Sequence, residues 1–309
     1  MTDADRELRY GFWCGLGAYG AWGLFPLYFL PLSGRVPALE VVAHRVLWAM
    51  PFLALVLWTR DGVRPALAAL RDGSKLRPLL LSSGLIAVNW LVYVYSVTNK
   101  MIFEASFGYF VTPLLNVAVG ALLLRERLRH GQWLAVGFAV AGVATMGTML
   151  GAVPWLSLGL ACSFAAYGLC RKRLPFDAAN GLFLETLLWW PIAVGYLIWL
   201  AARGATHFTG GTTVALLVGS GPVTAIPLLL FAGAARRLPF STIGFLQFLG
   251  PALQALIGWQ QGEAFERPRQ WGFGLLAVAV ALFVVDLLRV RHAAQSRSLD
   301  SFGGNSTSK

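Results

Sequence analysis

Residues 39–59 read LEVVAHRVLWAMPFLALVLWT. A helix rises about 1.5 Å per residue and needs about 20 apolar residues to cross a bilayer, so this stretch has the length and composition of a membrane span. It also holds Glu40, His44 and Arg45, and an ionisable group inside a span is costly enough to need a partner or a polar cavity. Working outward, blocks of the same kind lie at 10–31, 77–98, 103–124, 132–149, 154–171, 181–201, 212–234, 240–260 and 269–289. Hydrophobic residues make up 57% of the 309 residues and charged ones only 13%; mean hydropathy is +0.64. That is the composition of a membrane protein. The expected fold is an all-α integral membrane protein with ten transmembrane helices.

Lys and Arg fall in alternate gaps between the blocks. With the N-terminus on the cytoplasmic side, inside segments hold 19 cations, from Arg6 and Arg9 through Arg125, Arg127 and Arg129 to Arg289 and Lys309. Outside segments hold five, namely Arg35, Lys100, Arg203, Arg267 and Arg269. The positive-inside rule then predicts a multi-pass protein of the bacterial inner membrane with both termini cytoplasmic. The same distribution accounts for the net charge of +11. Cations spread over short loops face an anionic leaflet, so no nucleic-acid partner is expected.

Cys14, Cys162 and Cys170 all fall within blocks and show no CxxC or Cys/His spacing. They predict neither a disulfide framework nor a metal site. The leader TDADRELRY has mixed charge, and the apolar run after it continues through Trp22 and Pro26. It does not read as a signal peptide, so block 1 is expected to be retained.

The chain also resembles itself. Ala18-Tyr19-Gly20 echoes Ala166-Tyr167-Gly168, and Ser106 to Pro113 echoes Thr242 to Pro251. Gln132-Trp133 and Gln270-Trp271 each open a block. Residues 1–149 and 150–290 therefore read as two five-helix units, followed by a disordered cytoplasmic tail at 291–309 rich in Ser, Gly and Asn. An odd number of spans per unit forces the second copy in upside down. Inverted repeats place a substrate site near the midplane between the halves and support alternating access.

Polar residues inside the blocks are the candidate site. Helical geometry puts Glu40 and His44 on one face and Glu40 and Arg45 about 140° apart. Arg45 is therefore expected to find its counter-charge on another helix. An outer cluster of Glu40, His44, Arg45 and Glu104 is predicted to tie blocks 2 and 4. Glu185, near the start of block 7, is the inverted counterpart of Glu40 and the candidate for an inner gate. Asn89, Asn116, Thr224 and Gln247 at mid-depth, with Tyr19, Trp22, Trp90, Tyr93 and Tyr167 at neighbouring levels, are candidate cavity residues. An aromatic lining with a few amides suits an amphipathic metabolite. Pro113, Pro227 and Pro251 sit inside blocks and are expected to kink or hinge their helices. GxxxG at Gly11–Gly15 and Gly258–Gly262 permits close helix approach.

These residues together resemble the EamA-type drug/metabolite transporter superfamily, and within it the RarD family. The likeness covers residues 10–290. It rests on AYGAWGLFPLYF at 18–29, Glu40 with HRVLW at 44–48, NWLVYVYSV at 89–97 and EASFGYF…PLLN at 104–116. It continues in RERL…QWLAV at 125–136, FAAYGLCRK at 164–172, Glu185-Thr186 and PLLLF…RRLPFSTIGFLQFLGP at 227–251. The resemblance implies ten helices in two inverted five-helix repeats, with a central cavity lined mainly by spans 1–4 and 6–9. It implies a secondary transporter or exporter of small amphipathic metabolites or drugs, and the family label carries an association with chloramphenicol. Small multidrug members of the superfamily couple to protons through a glutamate in the first span. Tyr10–Leu30 contains no acid, so any coupling here falls to Glu40, His44, Glu104 or Glu185.

Other classes fit less well. An intramembrane protease needs a GxSG serine, and the sequence around Ser220 is Leu217-Val-Gly-Ser-Gly, with Val218 where Gly should be. No HExxH or Walker A motif occurs. A non-transporting structural or partner-binding subunit is the remaining alternative. No enzyme activity, cofactor or metal is expected. The expected partners are a small-molecule substrate and the lipid bilayer, with a homodimer left open.

Overall fold

The computed structural model of the chain describes residues 3–59, 62–68, 70, 73–124, 128–151, 153–235, 237–238 and 246–303. Among these, every regular element is a helix. They are α1 (Asp3–Phe29), α2 (Ala38–Trp58), the short α3 (Arg64–Ala68), α4 (Gly73–Thr98), α5 (Ile102–Leu124) and α6 (His130–Leu150). There follow α7 (Trp155–Arg173), α8 (Ala178–Ala202), α9 (Gly211–Ala235), α10 (Leu249–Gln260) and α11 (Arg267–Gly303). In lipid a helix satisfies its own backbone polar groups, which is why a chain of apolar blocks takes this form.

Six of the described helices are long and apolar enough to cross a membrane: Ala38–Trp58, Lys75–Thr98, His130–Met149, Ala179–Ala202, Gly211–Phe231 and Arg267–Asp286. The chain is a multi-pass membrane protein. The other expected spans show why composition alone undercounts. α1 has 27 residues, but Tyr, Trp and Gly dilute its hydropathy. α10 has only 12 residues, and most of the preceding part of its block, 240–245, lies outside the described residues, as do Arg125, Glu126 and Arg127.

The helices form two compact units, Met1–Pro113 with Trp155–Ala264 and Leu114–Pro154 with Phe265–Lys309. Each unit draws on both sequence halves, so the halves 1–149 and 150–290 are not the compact bodies. In the first unit α2 packs on α8 and α9, α1 on α9 and α10, and α4 on α7. Lipid tails are as apolar as leucine, so close packing and hydrogen bonds hold such helices together rather than a hydrophobic drive. Gly221 shows how close: a Cβ there would collide with the backbone of Trp48 and Ala49, so α9 touches the main chain of α2. At Gly11 and Gly15 of α1 the close neighbours are side chains, with Arg237 Cβ and Leu246 Cδ1 each 2.7 Å from where a Cβ would stand. Ser106 Oγ donates to the Pro251 carbonyl at 2.8 Å and Ser157 Oγ to the Glu104 carbonyl at 2.8 Å, tying α5 to α10 and α7.

The second unit is built on α6 and α11. Gly142 lies against the Gly272 carbonyl, and Arg129 at the start of α6 pairs with Asp286 late in α11, so the two run antiparallel.

Two expectations change. Pro113 and Pro227 lie inside α5 and α9, joined by Pro222. Pro251 is instead the third residue of α10, after a turn at 247–248. Its missing N–H costs no helical bond there, so it starts a helix rather than kinking one. Finally, α11 continues to Gly303 across much of the stretch expected to be a disordered tail. Extending a formed helix is far cheaper than nucleating one, and RHAAQSR contains good helix formers.

Candidate functional site

Arg45 sits eight residues into α2, about 11 Å along the helix from its first residue. It is 3% exposed. Its Nε donates to Thr224 Oγ1 at 2.6 Å, and that hydroxyl donates to the Ser220 carbonyl at 2.7 Å. The guanidinium carbon lies 4.5 Å from the Trp90 ring centroid, 5.7 Å from Phe25 and 5.8 Å from Phe29. Among the described residues no carboxylate forms an ion pair with it, and Nη1 has no hydrogen-bond partner. Burying an ion costs several kcal/mol even after relaxation. Each cation–π contact returns about 2 kcal/mol when desolvated. The rings hold the charge in place, and one of its donors is left over.

A line of aromatic side chains leads away from this centre. Phe25, Tyr93, Tyr109, Phe164 and Tyr167 follow one another with ring centroids 5.8–6.3 Å apart. They come from α1, α4, α5 and α7. Asn89 fixes the middle of the line: its Nδ2 donates to the Leu160 carbonyl at 3.1 Å and Ser163 Oγ at 3.0 Å, and its Oδ1 accepts from Tyr109 Oη at 3.0 Å. The hydroxyl of Tyr93 has no partner among the described residues.

The line ends at Glu185 in α8, which is 1% exposed. Tyr167 Oη donates to its Oε2 at 3.1 Å, Ser82 Oγ donates to its Oε1, and Arg171 Nη1 stands 3.7 Å from Oε1. Arg171 lies across the first turns of α8, where its Nη2 donates to the Asp177 carbonyl at 3.0 Å. Gly181 makes room for it, since a Cβ there would meet the guanidinium.

Glu40 is also buried, at 0% exposure. Its Oε1 accepts from the His207 backbone N–H at 2.8 Å and from Thr206 Oγ1 at 3.2 Å, and its Oε2 lies 2.6 Å from His207 Nδ1. His207 follows the end of α8, so α2 and α8 run antiparallel. Glu40 and Glu185 therefore occupy opposite ends of that pair, about 25 Å apart along α8 at 1.5 Å per residue.

The predicted cluster of Glu40, His44, Arg45 and Glu104 divides three ways. Glu40 turns to the segment after α8. The His44 ring stacks on Phe208 at 4.8 Å. Arg45 turns to α9 and the rings rather than to Glu104. The separation follows from the helix itself, because 40 and 45 point about 140° apart and meet different neighbours. Trp90, Tyr93, Asn89 and Tyr167 come together along the aromatic line. Tyr19 and Trp22 form a neighbouring cluster with Phe231, at 6.0 and 5.9 Å, and Trp22 accepts from Gln254 Nε2 through its carbonyl at 3.1 Å. Gln247 is half-buried in the turn before α10, and Asn116 is exposed and belongs to the second unit.

Sequence reasoning passed over Tyr109, Phe164, Ser82, Arg171, His207 and Gln254. A helical-face count points to three of them, since Ser82 lies seven residues before Asn89, Phe164 three before Tyr167 and Arg171 four after it. Tyr109, His207 and Gln254 come from other segments, so no count along one helix reaches them.

A family model described as the EamA-like transporter family matches residues 9–148. An uncharacterized transporter of Pseudomonas aeruginosa is 43% identical over 294 residues, covering 93% of this chain and 97% of its own. A protein of Streptomyces exfoliatus named RarD is 40% identical over 304 residues, 95% of this chain and 94% of its own. One crystal structure, 20% identical in sequence, shares the fold with a TM-score of 0.59 over 90% of this chain and 98% of that one. Relatives 40–43% identical along nearly the whole length make this chain a member of the RarD family of EamA-type drug/metabolite transporters.

Proposed function

We propose that the chain is a secondary transporter of small amphipathic metabolites or drugs in the bacterial inner membrane, working by alternating access between two inverted five-helix halves. The observation that carries this reading is the aromatic line from Arg45 to Glu185 inside one compact unit, an interior with a cation at one end and a carboxylate at the other. A purely structural membrane core has no reason to keep an incompletely paired guanidinium. Membership of a transporter family supports the same reading, and the 19-to-5 distribution of Lys and Arg supports cytoplasmic termini.

In this orientation α2 enters from the outside and α8 from the inside. Glu40 with His207 then closes the outer end, and Glu185 with Arg171 and Ser82 closes the inner end. Opening either end requires breaking bonds to a buried carboxylate, which an incoming proton or substrate group can replace. Asn89, Trp90, Tyr93 and Tyr167 face the substrate between the gates, and Pro113 and Pro227 supply bends in helices that must flex.

The test compares extracellular metabolites, and accumulation of added chloramphenicol, in cells carrying wild type, Arg45→Ala or empty vector at matched membrane expression. A compound enriched or depleted with wild type alone is the expected result. Identical profiles for all three, with chloramphenicol accumulation also unchanged, overturn the transporter reading.

A further inference from the structure

We infer that Arg45 is the receptor for an anionic group of the substrate, and that the preferred substrate is a small monocarboxylate with an aromatic or branched apolar body. This rests on the transporter reading above and names the substrate class for its central site. Arg45 uses Nε on Thr224 and leaves Nη1 without a partner among the described residues at 3% exposure. The Tyr93 ring follows Phe25 of the same aromatic cluster at 6.3 Å, and its buried hydroxyl likewise has no partner among the described residues. Two buried donors in one aromatic cluster, neither with a protein acceptor among the described residues, have the chemistry of a carboxylate site. A guanidinium binds a carboxylate through charge-assisted hydrogen bonds, and a phenol adds a further donor.

The walls define the rest of the ligand. Trp90, Phe25 and Phe29 stack about Arg45 and offer ring faces and edges to an apolar body. A single guanidinium matches one negative charge better than the two of a phosphate monoester. A neutral amphipathic molecule can accept a hydrogen bond there but leaves the buried charge uncompensated. Discrimination between an acid and its amide therefore follows from the missing counter-charge at Arg45.

The probes are phenylacetate and its neutral isostere phenylacetamide, with benzoate and indole-3-acetate as further acids. Binding to the purified full chain in lipid nanodiscs is read by calorimetry. Wild type is expected to bind at least one acid about 10–100-fold more tightly than phenylacetamide, the range for one charged hydrogen bond. Arg45→Gln is expected to lose that difference and Arg45→Lys to keep part of it. As a measurement free of variants, phenylglyoxal is expected to label Arg45 in wild type, detected on its peptide, and the bound acid but not phenylacetamide to protect it. The proposal is overturned if none of the acids binds at millimolar concentration, if the amide binds equally, if Arg45→Gln binds as wild type does, or if Arg45 resists labelling. Counterflow in proteoliposomes separates the two readings. An acid that binds through Arg45 but is not carried leaves the anion site standing and removes the transporter. A neutral compound carried equally by wild type and Arg45→Gln, with no acid bound, does the reverse.

Discussion

Arg45 and Glu185 are both buried charges in the same helical unit, yet their surroundings are built on opposite plans. Glu185 accepts hydrogen bonds from Ser82 and Tyr167 on its two oxygens and has the Arg171 guanidinium 3.7 Å away as counter-charge. Arg45 has one hydroxyl and three rings. A carboxylate satisfied by its own protein holds elements together, and it releases them only when something else takes its bonds. A cation held by ring faces is positioned without being used up. The contrast teaches that burial of a charge says nothing by itself about its role; the number of its bonds left over does.

The comparison breaks most visibly at Glu185. Replacing it with Ala strands Arg171, Ser82 and Tyr167, and breaking a buried pair from one side costs about 3–5 kcal/mol. Glu185→Ala is expected to be much less stable to unfolding in detergent micelles, with transport lost. Next in size is Asn89→Ala, which removes three hydrogen bonds and leaves the Tyr109 hydroxyl unpaired in the middle of the aromatic line. A loss of about 1–3 kcal/mol in the same unfolding measurement is expected. Arg45→Met sharpens the contrast, because removing an under-paired buried charge is neutral or stabilising by about 1 kcal/mol. Transport should fail while stability holds. A stability loss as large as that of Glu185→Ala would show that the rings and Thr224 satisfy Arg45 fully.

The smallest effect belongs to the second unit. Arg129 is 43% exposed where it meets Asp286, and solvent-exposed ion pairs contribute about 0.2–1 kcal/mol. Arg129→Ala should shift unfolding only within that range, and the shift should shrink as salt is raised.

Much of the site was legible one residue at a time. Glu40, Arg45, Asn89 and Glu185 stand out because each is expensive inside an apolar block, and all four are buried in the structure. Their partners were not legible. Thr224 is 179 positions from Arg45, and His207 is 167 from Glu40. Nothing local in the sequence encodes such pairings, and the prediction that Arg45 would meet Glu104 chose the nearest acid on a plausible face. Pro251 misled for a related reason: its block looked continuous, while the turn at 247–248 resets the helix just before it.

The sequence by itself determined the solvent and the elements. A bilayer core requires runs of about 20 apolar residues with self-satisfied backbones, and that requirement is written in consecutive residues. It also determined which polar groups needed an explanation, since their cost depends only on depth. Only the tertiary structure decided who answers that cost. Helix pairing in lipid turns on close approach at positions such as Gly221 and on hydrogen bonds between distant segments. Those are properties of two surfaces meeting, and no single stretch of chain contains both.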